Sequence, residues 1–66
     1  MKTIAEIVNS AKEGDILTDG KRKWRVVDDG SYKIALPLKY TRGTFELWSE
    51  GGMEKYAVLP GLRISE

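Results

Sequence analysis

The chain contains no cysteine and no histidine among its 66 residues. Disulfide bonds, zinc ribbons, thiol nucleophiles and histidine bases are therefore excluded, and so are nearly all transition-metal sites. We expect no cofactor and no metal ion. Prolines number only two, whereas 41% of the residues are apolar and 32% are charged, a balance typical of a folded domain.

A long apolar run is also missing. No stretch of the sequence approaches the roughly 20 apolar residues that a membrane span requires. Glu6 stands where a secretory signal peptide would carry its apolar segment. The sequence therefore predicts a cytoplasmic protein that does not associate with membranes.

The length of the chain limits its organisation. Domains typically contain about 50 to 250 residues, so we expect residues 1–66 to form a single domain. A domain of this size has a small core, which is compatible with either a monomer or a weak homodimer.

Residues 3–12 have the spacing of an amphipathic helix. The residues that share one apolar face at this spacing are Ile4, Ile7, Val8 and Ala11. Thr3 and Glu6 have the three-residue separation of a capping box at a helix start, and Gly14 is a residue type that ends helices in the left-handed conformation. A helix this short needs a surface on which to pack.

After Gly14 the pattern changes to alternation, which predicts five or six short strands. The predicted strands cover residues 15–18, 23–28, 32–36, 44–48, 54–59 and 62–64. Asp19-Gly20 and Asp29-Gly30 favour tight hairpin turns, and Pro37 is expected to end the third strand. The strands therefore form an antiparallel meander.

Residues 14–20, GDILTDG, followed by residues 24–27, WRVV, resemble the opening hairpin of SH3-like barrel domains from bacterial and phage proteins. This resemblance implies an α+β fold that is mainly β. An N-terminal helix would precede a five- to six-stranded antiparallel meander forming a small, partly open SH3-like barrel. An open sheet with the helix packed on one side is the alternative. SH3-like barrels bind peptides, nucleic acids and proteins alike, so the resemblance bears on the fold more than on the function.

Charge is concentrated in residues 21–42, where seven basic and two acidic residues give a net charge of +5, against −2 on each side. The basic residues that converge if the hairpin binds phosphates are Lys21, Arg22, Lys23, Arg25 and Lys33. Trp24 among these cations is a combination that single-stranded nucleic-acid binders use. In the other interpretation, Trp24 and Val26 point into the core and the neighbouring cations are solvated.

Alternation in the fourth predicted strand places Phe45 and Leu47 inward and Trp48 outward. An outward tryptophan indicates a contact surface. Tyr32 and Tyr56 are predicted to be core residues whose hydroxyl groups reach the rim.

The candidate anchors for a protein partner are Tyr40, Arg42 and Trp48, because Tyr, Arg and Trp often dominate binding energy.

Carboxylates are the remaining candidates for acid–base catalysis. Asp28-Asp29 and the pair Asp15 and Asp19 adjoin glycines in predicted turns, where aspartate bonds to the backbone. We therefore expect no enzymatic activity. The leading hypothesis is a small protein-binding module, such as a phage- or prophage-encoded inhibitor or adaptor. The alternative is a nucleic-acid-binding domain that uses the basic hairpin of residues 21–33.

Overall fold

Among its described residues, the chain forms one α-helix and a five-stranded antiparallel sheet. The computed structural model describes residues 2–39, 42 and 44–65. Its elements are α1 (Ile4–Ser10), β1 (Ile16–Thr18), β2 (Lys23–Asp28), β3 (Lys33–Pro37), β4 (Leu47–Trp48), a 3₁₀ helix (Met53–Tyr56) and β5 (Arg63–Ile64). The strand order is β4-β3-β2-β1-β5, and the sheet curves into a half-barrel. The predicted α+β, mainly β class is confirmed.

Helix α1 starts where the sequence predicts. Thr3 Oγ1 accepts a hydrogen bond from the Glu6 backbone amide at 3.2 Å, and Glu6 Oε1 accepts one from the Thr3 amide at 3.1 Å. This reciprocal pair satisfies two amides that a helix start leaves without partners. The pKa of the Glu6 carboxyl is lowered, because the Thr3 amide and the Thr3 hydroxyl both donate to Glu6 Oε1 and favour its charged form.

The end of α1 differs from the predicted residues 3–12. Ala11 is already extended, with ψ of 161°, so the helix ends at Ser10. Gly14 does have a positive φ, 89°, but it lies in the following turn. There its amide donates to the Val26 carbonyl at 2.8 Å, which ties the turn to β2.

Helix α1 packs on one face of the sheet, which we call the inner face; the opposite side is the outer face. The helix contributes its apolar stripe, and every strand except β5 contributes inward residues. The buried apolar residues are Ile4, Ile7, Val8, Ala11, Leu17, Trp24, Val26, Ala35, Leu47 and Leu62. The predicted apolar face of the helix and the inward positions of Trp24, Val26 and Leu47 are thus confirmed.

Trp24 fixes the segment between β3 and β4 to the sheet. Its side chain is fully buried, and its indole Nε1 donates to the Phe45 carbonyl at 2.8 Å. The Arg22 guanidinium lies 5.3 Å from the centre of the Trp24 ring and 5.4 Å from that of Phe45. The prediction that Phe45 points into the core is wrong, because the residue precedes β4 and its side chain is 37% exposed.

The strand predictions have mixed outcomes. Strand β2 is confirmed, and β1, β3 and β5 have ends within one residue of those predicted. Strand β4 has only two residues, and the predicted strand at 54–59 is wrong because a 3₁₀ helix occupies its first part. The backbone there bonds to the helix start, with the Ile4 amide donating to Ala57 at 2.8 Å. Tyr56, predicted to be buried, is 73% exposed.

The two predicted hairpin turns occur in the expected places. Residues 19–22 and 29–32 form four-residue loops between paired strands. In each loop the aspartate Oδ1 accepts hydrogen bonds from the third and fourth amides, at 2.7–3.1 Å. In these loops the glycines take the positive φ, 99° at Gly20 and 95° at Gly30, and the aspartates before them do not.

The burial of Trp24 gives a prediction for stability. Trp24→Phe removes the donor to the Phe45 carbonyl and leaves unfilled volume in the core, so we expect a loss of about 2–4 kcal/mol in the free energy of unfolding. The measurement is urea unfolding monitored by circular dichroism. The same substitution at half-buried Trp48 is the control, with an expected loss below about 1 kcal/mol. Equal losses at the two positions would contradict the role given to Trp24.

Candidate functional site

Three apolar side chains form a row across the outer face: Val27, Ile34 and Trp48. Strand register places them directly opposite one another on β2, β3 and β4, and opposed residues project to the same side of a sheet. Their neighbours Val26, Ala35 and Leu47 are fully buried on the inner face. The row therefore faces away from α1.

Trp48 is packed at the end of this row. Its indole stacks on the Tyr32 ring, with ring centres 5.4 Å apart and an angle of 13° between the planes. Gly51, at φ of 81°, lies beside it; a Cβ there would be 3.7 Å from Trp48 Cε3. Trp48 lies on the side that alternation predicts. Tyr32 is instead a half-buried residue of the outer face, so its predicted core position is wrong.

A second row adjoins the first. Ile16, Arg25 and Leu36 are opposite one another in the register, and Arg25 is exposed between two apolar neighbours. Leu36 is 38% exposed. We define the outer patch by its five apolar members: Val27, Tyr32, Ile34, Leu36 and Trp48.

Two shallow grooves border the outer patch. The apolar groove, about 470 Å³, is lined by Arg25, Val27, Leu36, Pro37 and Leu38, with Glu13 also among its lining residues. The basic groove, about 310 Å³, is lined by Lys21, Arg22, Lys23, Leu38, Lys39 and Thr44. Leu38 lines both grooves, so the apolar and the basic surfaces are continuous.

Arg22 is partly engaged within the protein. It forms an ion pair with Asp19 at 3.0 Å, the one ion pair among residues 2–39, 42 and 44–65. Backbone amides of Arg22 and Lys21, together with that guanidinium, lower the pKa of Asp19 to about 2. Lys21, Lys23 and Arg25 are exposed.

Lys33 does not join the other predicted basic residues. Its Nζ donates to the Asn9 carbonyl at 2.9 Å and to the Ala11 carbonyl. It therefore holds the C-terminal end of α1, where carbonyl groups lack helical partners and favour a cation. Of the five basic residues named for phosphate binding, Lys33 is thus bonded within the protein through its ammonium group.

The predicted protein-binding residues are Tyr40, Arg42 and Trp48. Tyr40 lies outside the described residues. Arg42 is exposed between β3 and β4, and within the described chain it forms no ion pair. Trp48 belongs to the outer patch.

Aspartates act in the turns as the sequence predicts. The carboxylates of Asp15, Asp19, Asp28 and Asp29 each accept a hydrogen bond from a nearby backbone amide, at about 2.9 Å. In the part of the chain that the structure describes, no group of three or more histidine, cysteine or acidic residues is placed to hold a metal ion. Over the same residues, no helix has the length and apolar character needed to cross a membrane.

Sequence reasoning missed most of the outer patch. Alternation in residues 32–36 separates Ile34 and Leu36 from Ala35, but it does not show which side faces the helix. The missing information is the register with Val27 and Trp48. A second exposed apolar feature, Met53 with 87% exposure, lies on the 3₁₀ helix that was predicted to be a strand.

The contact made by Lys33 gives a second prediction. Lys33→Met keeps most of the side chain's length but removes the charge at the end of α1, so we expect about 1–2 kcal/mol less stability towards urea. Lys23→Met is the matched control, since Lys23 is exposed and its side chain bonds to none of the described residues; its expected effect is within about 0.5 kcal/mol. A neutral Lys33→Met variant would contradict the role of Lys33 in holding the helix.

Comparisons of the chain with protein-family models, with curated proteins and with solved structures gave no match. The functional proposal therefore depends on the geometry and charge of the outer face.

Proposed function

We propose that this protein is a non-enzymatic module that binds another protein through the outer patch. The observation that carries the proposal is an apolar and aromatic sheet face that points away from α1, the one α-helix among the described residues. Sheet faces of this composition are normally covered by a second layer of structure. A large contiguous apolar surface that is exposed usually marks an interaction site.

The composition of the outer face suits protein recognition. Trp48, Tyr32 and Arg25 are of the residue types most often found to dominate binding energies. Arg25 is exposed between Ile16 and Leu36, so its aliphatic part can contact apolar groups while its guanidinium meets polar ones. Arg42 and Tyr40 remain proposed contacts with the protein partner.

The stack of Tyr32 on Trp48 also favours binding. Side chains that are held before association lose less conformational freedom when a partner arrives. The centres of the two rings lie 5.4 Å apart, with 13° between their planes. They therefore present a defined surface, which is typical of binding anchors.

The finer fold assignment belongs to the same proposal. We propose an SH3-like, partly open barrel, and its support is the curved meander in which β1 pairs with both β2 and β5. A phage- or prophage-encoded inhibitor or adaptor acting in the bacterial cytoplasm is the biological class we propose, because such proteins act by binding alone.

Nucleic-acid binding is the second candidate function. The observation that favours it is the basic groove, where Lys21, Lys23 and Lys39 lie together. Phosphate contacts through these residues would make binding fall steeply with salt. Lys33 is removed from that set by its bonds to the helix end.

Site-specific crosslinking tests the protein-binding function. A photoreactive benzoyl-phenylalanine replaces Leu36 in the outer patch or, as a control, Met53, which is exposed but outside it. After illumination in nuclease-treated bacterial lysate, we expect a protein adduct from position 36 and none of the same mass from position 53.

Adding Ile34→Lys to the crosslinking variant places a charge in the apolar row, and we expect it to reduce the adduct about tenfold. Circular dichroism checks that this variant folds. Equal adducts from both positions, or an adduct indifferent to Ile34→Lys, would argue against the outer patch as the binding surface.

A further inference from the structure

We infer that the protein partner presents an extended acidic segment, with apolar side chains on the outer patch and carboxylates in the basic groove. This inference rests on the proposed protein-binding function and specifies the chemistry of its partner. The supporting observation is that Leu38, just after β3, lines both the apolar groove and the basic groove.

Strand β2 gives the distance between the two halves of this surface. Lys23 and Val27 both lie on its outer side, because they alternate with buried Trp24 and Val26. They are four positions apart, which corresponds to about 13 Å along a strand. An extended segment of about five residues spans the same distance. The partner is therefore expected to carry its acidic residues about four positions from its apolar ones.

The charge of this surface selects an acidic partner. The basic groove is lined by Lys21, Lys23 and Lys39, and none of these lysines forms an ion pair with the described residues. Arg25 adds a cation beside the apolar groove. The acid among that groove's lining residues is Glu13, and it forms no ion pair with Arg25. Complementary charge on a partner accelerates association and excludes basic competitors.

A second copy of this chain fits the surface poorly. A two-fold dimer through the outer patch would place the same surface on itself. A two-fold axis running along β2 would bring the basic grooves of the two copies together, and juxtaposed like charges are unfavourable. A different, acidic chain avoids this repulsion.

Nucleic acid also fits this surface less well than an acidic segment. Single-stranded binders place open aromatic faces beside their cations so that bases can stack. Here the apolar residue that lines the basic groove is Leu38, the nearby Phe45 ring packs against the Arg22 guanidinium at 5.4 Å, and the rings of Tyr32 and Trp48 stack on each other. A nucleic acid held by the lysines would leave the leucines and the isoleucine of this face uncovered.

Peptide binding to the full chain tests the inference. The probe is a fluorescent ten-residue peptide with Leu and Ile near one end and two Glu four positions from them. A second version of the peptide has the reversed sequence. Matched probes replace Glu with Lys, replace the apolar residues with Ser, or place Glu directly beside them. A ten-nucleotide oligo(dT) is the fifth probe, and binding is followed by fluorescence anisotropy.

We expect the designed acidic peptide to bind in one direction and each matched peptide to bind at least about tenfold more weakly. The double variant Lys21→Glu, Lys23→Glu is expected to lose at least about tenfold in affinity, while Lys12→Glu, on a lysine that lines neither groove, changes it less than about twofold. All three lysines are exposed, and circular dichroism verifies folding.

Three results would overturn the inference. One is equal binding of the acidic and basic peptides, another is no binding of any peptide, and the third is tighter binding of oligo(dT) that disappears in the Lys21→Glu, Lys23→Glu variant. After either of the first two results, the protein adduct at position 36 is still expected if the partner is recognised by its apolar surface alone. Loss of the position-36 adduct would instead defeat the protein-binding function itself.

Discussion

A sheet has two faces, and in the described chain one seven-residue helix packs on only one of them. Burial of the α1 stripe against Trp24, Val26, Ala35 and Leu47 forms the core on that side. The apolar residues in the alternate positions cannot share this core, because adjacent strand residues point to opposite sides. The outer patch is thus a consequence of how the inner face is covered, and the functional proposal depends on this asymmetry.

The basic residues separate into those used for folding and those available to a partner. Lys33 holds the end of α1 from a position more than 20 residues away, and Arg22 lies over Trp24 and Phe45 while paired with Asp19. The remaining cations near these strands, Lys21, Lys23 and Arg25, project from the surface. Net charge alone does not distinguish the two groups, because the difference lies in what each side chain contacts.

Local patterns predicted the parts of the fold that local interactions determine. The capping box of Thr3 and the alternation in β2 needed only neighbouring residues. The segment at 54–59 has the same alternation, but its backbone bonds to the helix start, so it does not form the predicted strand. The composition of the outer patch required the register between β2, β3 and β4, which sequence spacing does not supply. Likewise, Ala35 faces the helix while Ile34 and Leu36 face outward, although periodicity treats both sides equally.

The two tryptophans allow binding on the outer face to be measured directly. In a ¹H–¹⁵N spectrum of the labelled protein, Trp48 and Trp24 give separate indole signals, one from the outer patch and one from the core. On titration with the designed acidic peptide, we expect the signals of the Trp48 indole and of amides in β2 and β3 to shift. The signals of the Trp24 indole and of the amides of Ile4–Ser10 should not change. Shifts confined to α1 or to residues 53–59 would contradict binding on the outer face.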